Sequence, residues 1–290
     1  KSKSAAIHKL FLKNNISAVF SQITRGEYGY YIEEANRRGI PSFCIPHGTM
    51  TESFNKDDKR YKNIISEAIT LKNSKFICSQ SKISKKFFIN NNNVLKKRKI
   101  TTGNLIFSEG KKNTINKKKI KLLFAVTLKT FESIQYLGVE PFYEFINNLD
   151  FLSNFVNRNN YIKVIVKIHP TESENINNLK DLFPNLQFTN DKIDKILKKI
   201  DITISFSSTV IEDSLYSFRP VILLDRWKRY KHCRATDDSN IKNAAVYYVN
   251  DEEKLKKCID SIADSKKIFF EKYIYPGVSK NNIKKLKEYF

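Results

Sequence analysis

The stretch 201–224, DITISFSSTVIEDSLYSFRPVILL, decides how the whole chain is read. Residues 201–205 are a short apolar run of strand length, 209–218 suit a helix, and 220–224 are apolar again. A strand, a helix and a strand in close succession make a crossover unit. Strands covered by helices on both faces read as continuous apolar runs, so the unit points to a parallel sheet.

The same alternation extends outward. Towards the C terminus come a strand at 245–249, a helix at 252–262 and a basic, helical tail at 280–290. Towards the N terminus lie strands at 120–126, 161–167 and 187–188, with helices at 139–157, 176–182 and 192–199. Upstream of these, the segment 108–119 (SEGKKNTINKKK) has no apolar periodicity and is strongly basic, the composition of a linker. A first series precedes it: strands at 18–21, 41–45, 75–79 and 99–102, with helices at 27–38 and 82–89. Gly39 follows the first of these helices in the C-cap position, where a positive φ is often needed. The expected fold is therefore α/β, with two Rossmann-like domains. Residues 1–108 form the first domain, 109–119 the linker, and 120–290 the second domain with its basic C-terminal helix. About four strands are fewer than the six or so of a full nucleotide-binding domain. The chain also opens at Lys1 without a methionine, so the N-terminal domain is expected to be incomplete.

Composition narrows the function classes. Hydrophobic residues make up 41% and charged residues 28% of the 290 positions, the balance of a globular chain. No apolar run approaches the roughly 18–20 residues that span a bilayer, and the first residues lack the apolar core of a signal peptide. Cys44, Cys78, Cys233 and Cys258 form no CxxC pair, which argues against a zinc site and a disulfide framework. A reducing cytoplasm is the expected compartment. The net charge of +22 favours anionic partners, but the lysines are scattered, and no nucleic-acid-binding motif is present.

The polar residues of interest stand at strand ends. Pro46-His47-Gly48-Thr49 places a histidine, a candidate general base, beside a glycine that lets the backbone turn close to a ligand. Lys167-Ile168-His169-Pro170 holds a second histidine where proline stops a strand, suited to donating to a phosphate. Ser205-Phe206-Ser207-Ser208-Thr209 lies between strand and helix, where free amides and hydroxyls can cradle a phosphate. N-capping accounts for one of those hydroxyls without any function. Arg25-Gly26-Glu27 opens a helix at a strand end. The basic run 226–232 (RWKRYKH) is a solvated loop or a surface for an anionic chain or lipid headgroups.

The ordered set resembles the CDP-glycerol glycerophosphotransferase family and, more loosely, the polysialyltransferase and capsule glycosyltransferase groups of GT-B type. The resemblance covers about 45–224. It runs through the His47 loop, Ile77-Cys78-Ser79-Gln80-Ser81, Thr102-Gly103-Asn104, 122–127, 167–170, Ser207-Ser208 with Asp213, and Arg219-Pro220-Val221-Ile222. It implies a transferase of cell-surface polymer synthesis, teichoic-acid-like or capsular, working at the inner face of the plasma membrane. The donor would be CDP-, CMP- or UDP-linked and the acceptor an anionic or lipid-linked glycan. By the same resemblance, His47 is the catalytic base, with Gly48, Thr49 and Arg25 on the acceptor side. His169, Ser207, Ser208, Thr209, Asp213, Thr127 and Gly103 belong to the donor side, with ribose contact and sheet packing both open for Asp213.

Two positions depart from the family pattern. Its Asp-Tyr before the serines is Ser205-Phe206, and its Pro-Thr-Trp-Arg is Val126-Thr127-Leu128-Lys129. The second change replaces a forked guanidinium with a point charge. No Asp-x-Asp triplet occurs, so neither a metal nor another cofactor is expected. A rival enzyme class is the sialic acid or Kdo type of sugar transferase. A UDP-sugar epimerase would share the architecture but calls for catalytic carboxylates, which the sequence does not single out. A basic nucleic-acid-binding protein is the reading from a different class.

Overall fold

The computed structural model describes every residue except 1, 47–49, 71–73, 91–96, 113, 126–140, 169–175, 229 and 278. The chain divides into two units, Lys1–Phe107 with Tyr273–Phe290, and Ser108–Lys272.

In the first unit the elements run α1 (Ser2–Lys13), β1 (Val19–Ser21), α2 (Glu27–Arg37), β2 (Ser42–Cys44), α3 (Lys56–Ile69), β3 (Phe76–Ser79), α4 (Lys82–Asn90) and β4 (Lys99–Thr101). The four strands form one parallel sheet in the order β1-β2-β3-β4. Successive side chains on a strand point to opposite faces. Cys44 and Ile77, register partners, therefore pack with Met50, Ile69, Phe87 and Phe88 on one face. Phe20, Phe43 and Phe76, also in register, line the other face, with ring centroids 4.9 and 5.1 Å apart.

That phenylalanine row is covered by the C terminus. Leu286, near the end of helix Ser279–Leu286, joins Phe43, Cys78 and Leu105 in a core cluster. Tyr289 and Phe290 meet the Phe43 ring at 6.3 and 5.8 Å. The expected assignment of the tail to the second domain is thereby corrected: 273–290 packs with the first unit. Burying a side chain of Leu286's size is worth about 1.5–3 kcal/mol; Tyr289 and Phe290 remain 41% and 51% exposed and cover the row only in part.

In the second unit the order is β5 (Ile120–Ala125), α5 (Pro141–Arg158), β6 (Ile162–Lys167), α6 (Ile176–Leu182), β7 (Gln187–Thr189), α7 (Ile193–Leu197), β8 (Ile202–Ser205), α8 (Val210–Tyr216), β9 (Val221–Leu224), β10 (Val246–Val249) and α9 (Glu252–Ala263). The sheet is parallel throughout, in the order β10-β9-β8-β5-β6-β7. Ile120, Leu122 and Phe124 face α5 and α9, through Leu149, Leu152, Phe155, Cys258 and Ile259. Leu123 and Ala125 face Ile196, Leu197 and Ile200 on the opposite side. The α/β class with two parallel sheets expected from the apolar runs is the one observed; among the described residues this sheet has six strands, with a reversal in their order, and the first unit's has four in sequential order.

All four cysteines are buried and unbridged, and burial pushes the Cys44 thiol up to about 12. Among the described residues, no helix is long and apolar enough to cross a membrane.

Candidate functional site

In the second unit the strand order reverses between β5 and β8: β6 and β7 lie to one side of β5, β8 to β10 on the other. Where the order reverses, the loops leaving adjacent carboxyl ends diverge and open a crevice, the usual ligand position in open α/β sheets. Ala125 and Ser205 end these two strands, and the Ser205 hydroxyl donates to the Ala125 carbonyl at 2.6 Å. Ser205 is fully buried, so it clasps the two strands from inside the sheet. This gives the first departure from the family pattern a structural task.

From Ser205 the chain runs through Phe206, Ser207, Ser208 and Thr209 into α8, and all four of these loop residues are half-buried. The Ser208 hydroxyl accepts from the Val210 amide at 3.3 Å, and its carbonyl accepts from Ile211 at 3.0 Å, so Ser208 caps the first turn. Its own O–H stays available as a donor. α8 is seated on β8 by a buried pair, Thr203 and Ser214, whose hydroxyls are 2.8 Å apart. At the end of β6, Lys167 pairs in register with Ala125 and so stands next to the reversal point. Burial lowers its pKa, countered by Asp191. An ammonium at this edge is a cation that reading the motif as a histidine motif overlooked.

α8 carries two acidic residues in its first turn, Glu212 and Asp213. Asp213 accepts from the Ser108 amide at 2.7 Å, yet burial pushes its carboxyl up to about 6, with Glu212 and Asp194 adding to the rise. The Ser217 hydroxyl donates to the Ser108 carbonyl at 3.2 Å, and Arg219 donates to the Lys111 carbonyl at 2.9 Å. Ser108 and Lys111, at the start of the expected linker, are therefore fastened to the second unit. Their side chains are polar, but their backbone groups find buried partners.

Past β9, the buried Asp225 carboxylate accepts from the amides of Trp227 and Tyr230, at 3.2 and 2.7 Å, and from the Tyr248 hydroxyl at 2.9 Å. It folds the basic run back on itself, burying Tyr230, His232 and Cys233. The Tyr230 ring lies 5.2 Å from that of Phe206. His232 stands 3.8 Å from Glu212, and their side chains are only 5% and 2% exposed. The reading of 226–232 as a solvated loop thus holds for exposed Trp227 but not for its C-terminal half. An isolated charge run gives no sign of a carboxylate that gathers its backbone.

In the first unit, Gln80 links two of the quoted motifs. Its amide nitrogen donates to the Pro46 carbonyl at 2.7 Å, and its oxygen accepts from the Leu105 amide at 3.1 Å. The segment leaving the His47 loop is pinned as well: Lys62 donates to the Glu52 carbonyl and pairs with Asp58 at 3.0 Å. Gly103, expected on the donor side, lies in the first unit with φ +71 and the Asn282 side chain against its Cα. Arg25 is exposed just before α2. His47, Gly48, Thr49, Thr127 and His169 lie outside the described residues. Of the expected donor-side residues, Ser207, Ser208, Thr209 and Asp213 stand together around the start of α8.

No protein-family model matches the chain, and no curated protein matches it in sequence. Solved structures match it over nearly its whole length. The S. aureus MnaA–UDP co-structure has a TM-score of 0.59 at 10% identity, covering 99% of this chain and 78% of that one. The Methanocaldococcus jannaschii UDP-GlcNAc 2-epimerase in complex with UDP-GlcNAc and UDP has a TM-score of 0.57 at 15% identity, covering 99% and 80%. The UDP-GlcNAc 2-epimerase from Neisseria meningitidis bound to UDP-GlcNAc has 0.57 at 11%, covering 99% and 80%. At such identities the likeness is one of fold: the chain has the two-unit, GT-B-like α/β fold of these proteins.

Proposed function

We propose that this chain is an enzyme that binds a nucleotide-activated donor, CDP-, CMP- or UDP-linked, at the carboxyl edge of the second unit's sheet. In this reading it transfers glycerol phosphate or a sugar to an acceptor hydroxyl in cell-surface polymer synthesis, next to the inner face of the plasma membrane. The observation that carries the proposal is the position of the Ser207-Ser208-Thr209 hydroxyls where the strand order reverses, with Lys167 on the neighbouring strand end. The fold comparison supports the nucleotide part, since the similar proteins were solved with UDP or UDP-GlcNAc.

The proposed step is a displacement. His47 removes the proton of the acceptor hydroxyl, which attacks the phosphorus or anomeric carbon of the donor. The leaving phosphate is held by His169, the Ser207 and Ser208 hydroxyls and the adjacent amides, so no metal is required. Gly48, Thr49 and Arg25 would contact an anionic or lipid-linked glycan, a partner class that suits a net charge of +22.

The second reading is a UDP-sugar 2-epimerase, favoured by the names of the similar structures. Against it, the buried carboxylates described in the first unit are ion-paired, Glu34 with Arg38 and Asp58 with Lys62, rather than poised for proton transfer. A thermal-shift panel of CMP, CDP, UDP, UMP and GDP tests the nucleotide site, and a selective rise is expected. Donor turnover is then followed with and without acceptor. Conversion of UDP-GlcNAc to its C2 epimer without acceptor would establish the second reading, and no shift with any nucleotide would refute both.

A further inference from the structure

Arg226 and Trp227 leave the carboxyl end of β9, the strand beside β8, and both are exposed. The turn that presents them is held by hydrogen bonds. The buried Asp225 carboxylate accepts from the Trp227 and Tyr230 amides, and the Asp225 carbonyl accepts from the Lys228 amide at 3.2 Å. Lys228 takes φ +59, a left-handed conformation that a lysine keeps only where its surroundings impose it. The Arg226 guanidinium lies 4.8 Å from the centre of the Phe151 ring and 5.5 Å from that of Trp227, and its Nη1 donates to the Asn147 carbonyl at 3.0 Å. Its plane is thus fixed by two aromatic rings and one hydrogen bond. No carboxylate among the described residues pairs with it. The other N–H groups keep the forked geometry that fits a carboxylate or a phosphate. Asn147 and Phe151 belong to α5, and Tyr143, one turn earlier and 59% exposed, continues the same helix face. From Tyr143 to Phe151 that face runs about 12 Å, at ~1.5 Å per residue. Of the acids on α5 nearby, Asp150 accepts from Asn154 at 3.3 Å and Glu144 is half-buried.

We propose that the strip formed by Tyr143, Phe151, Arg226 and Trp227 is a docking surface for an anionic glycan chain. The C–H face of a sugar ring packs on the Trp227 indole, and an acidic group of the chain is taken by the Arg226 fork. Charge sets the sign of the ligand: Arg226 has no acidic partner, Lys228 beside it is exposed, and the whole chain carries +22. Shape sets its length. The strip is exposed at both ends, at Tyr143 and Trp227, which suits a chain gripped at successive repeats better than a small molecule enclosed on most sides. Tryptophan, tyrosine and arginine are also the side chains that carry most of the energy at recognition surfaces. Tyr230, in the same turn, packs on Phe206 at 5.2 Å, so the strip adjoins the loop that leads into α8. The role of the bound chain as the acceptor polymer rests on the transferase reading above; its binding does not.

Trp227 is the single tryptophan, so its fluorescence in the intact chain reports on the strip directly. The chain is titrated with hexamers of sialic acid and of galacturonic acid, and in parallel with a neutral glucose hexamer and with phosphatidylglycerol vesicles. At least one acidic hexamer should shift the emission to the blue and saturate, with binding weakened in about 0.5 M salt. The neutral hexamer should bind about tenfold more weakly or not at all. By calorimetry, Trp227→Ala and Arg226→Gln should each weaken the acidic hexamer about tenfold, with Tm unchanged. Arg226→Lys keeps the charge but loses the fork, and should stay several-fold weaker than the parent. A merely structural role would lower Tm in these variants and leave their hexamer affinity in place. Parental affinity in Trp227→Ala and Arg226→Gln would put the glycan elsewhere on a basic surface and overturn the proposal. Equal binding of the neutral hexamer, a response to vesicles alone, or no response to either acidic hexamer would overturn it too. In each of these cases a selective thermal shift with a nucleotide leaves the donor site standing. Hexamer binding without any nucleotide shift overturns the donor site and leaves the docking surface.

Discussion

Replacing Asp213 with asparagine should stabilise the second unit at neutral pH and abolish a defined part of its pH dependence. Asp213 accepts the Ser108 amide at 2.7 Å from a half-buried position, and desolvation lifts its carboxyl from 3.8 to about 6. A rise of this size corresponds to roughly 3 kcal/mol at ~1.4 kcal/mol per pKa unit, and residual exposure reduces the expected effect to about 2 kcal/mol. The folded chain holds this proton more tightly than the unfolded chain. Its stabilising contribution is therefore complete below about pH 4, falls as pH rises towards 6 and is gone above that. Asparagine keeps the carbonyl that accepts from Ser108 and drops the charge. Urea unfolding at pH 4.5 and 7.5, followed by the fluorescence of Trp227, the single tryptophan, reads the second unit directly. The difference between parent and Asp213→Asn should grow by about 1.3 kcal/mol across that interval, since part of the effect is already lost at pH 4.5. A constant difference would show that the Asp213 carboxyl is solvated and that the burial reasoning is wrong.

Lys62 and Asp58 are each 2% exposed and 3.0 Å apart, so Lys62→Met should cost about 3–5 kcal/mol by leaving a buried charge unpaired. Lys62→Met with Asp58→Asn should recover much of the loss in thermal melts. A Cβ at Gly103 would sit 2.8 Å from the Asn282 amide nitrogen, which is itself tied to the Asn104 carbonyl, and the residue holds φ +71. Gly103→Ala should thus destabilise by about 1–3 kcal/mol, partly relieved by Asn282→Ala. Ser208→Ala should cost about 1 kcal/mol through the lost Val210 cap and weaken nucleotide binding about tenfold; unchanged affinity would remove Ser208 from the site. His47→Ala should lower turnover about 100-fold with nucleotide affinity preserved, and near-parental turnover would exclude it as the base.

The strands were legible because burial on both faces demands unbroken apolar runs, as in Ile120–Ala125 and Val221–Leu224. α3 was not, because it opens with KDDKRYK, and pattern counts those charges as solvated although Lys62 and Asp58 bury each other. The anchoring at the start of the linker was hidden for a related reason: polarity describes side chains, while Ser108 and Lys111 are fastened through their backbones. The helical tail could be recognised from its periodicity, but not the row of Phe20, Phe43 and Phe76 on which it packs. In the site, the hydroxyl cluster at 205–209 was visible as a motif. The Glu212–His232 pair was not, since one member stood in a helix and the other in what read as a surface charge run.

Element type and the α/β class follow from local order along the chain, because helix and strand periodicities are properties of neighbouring residues. Folding alone placed β8 beside β5, gave Asp213 its amide, set His232 against Glu212 and sent the tail back to the first unit. Those outcomes rest on contacts between residues far apart in sequence, and their energies come from desolvation and pairing that exist only once the surfaces meet.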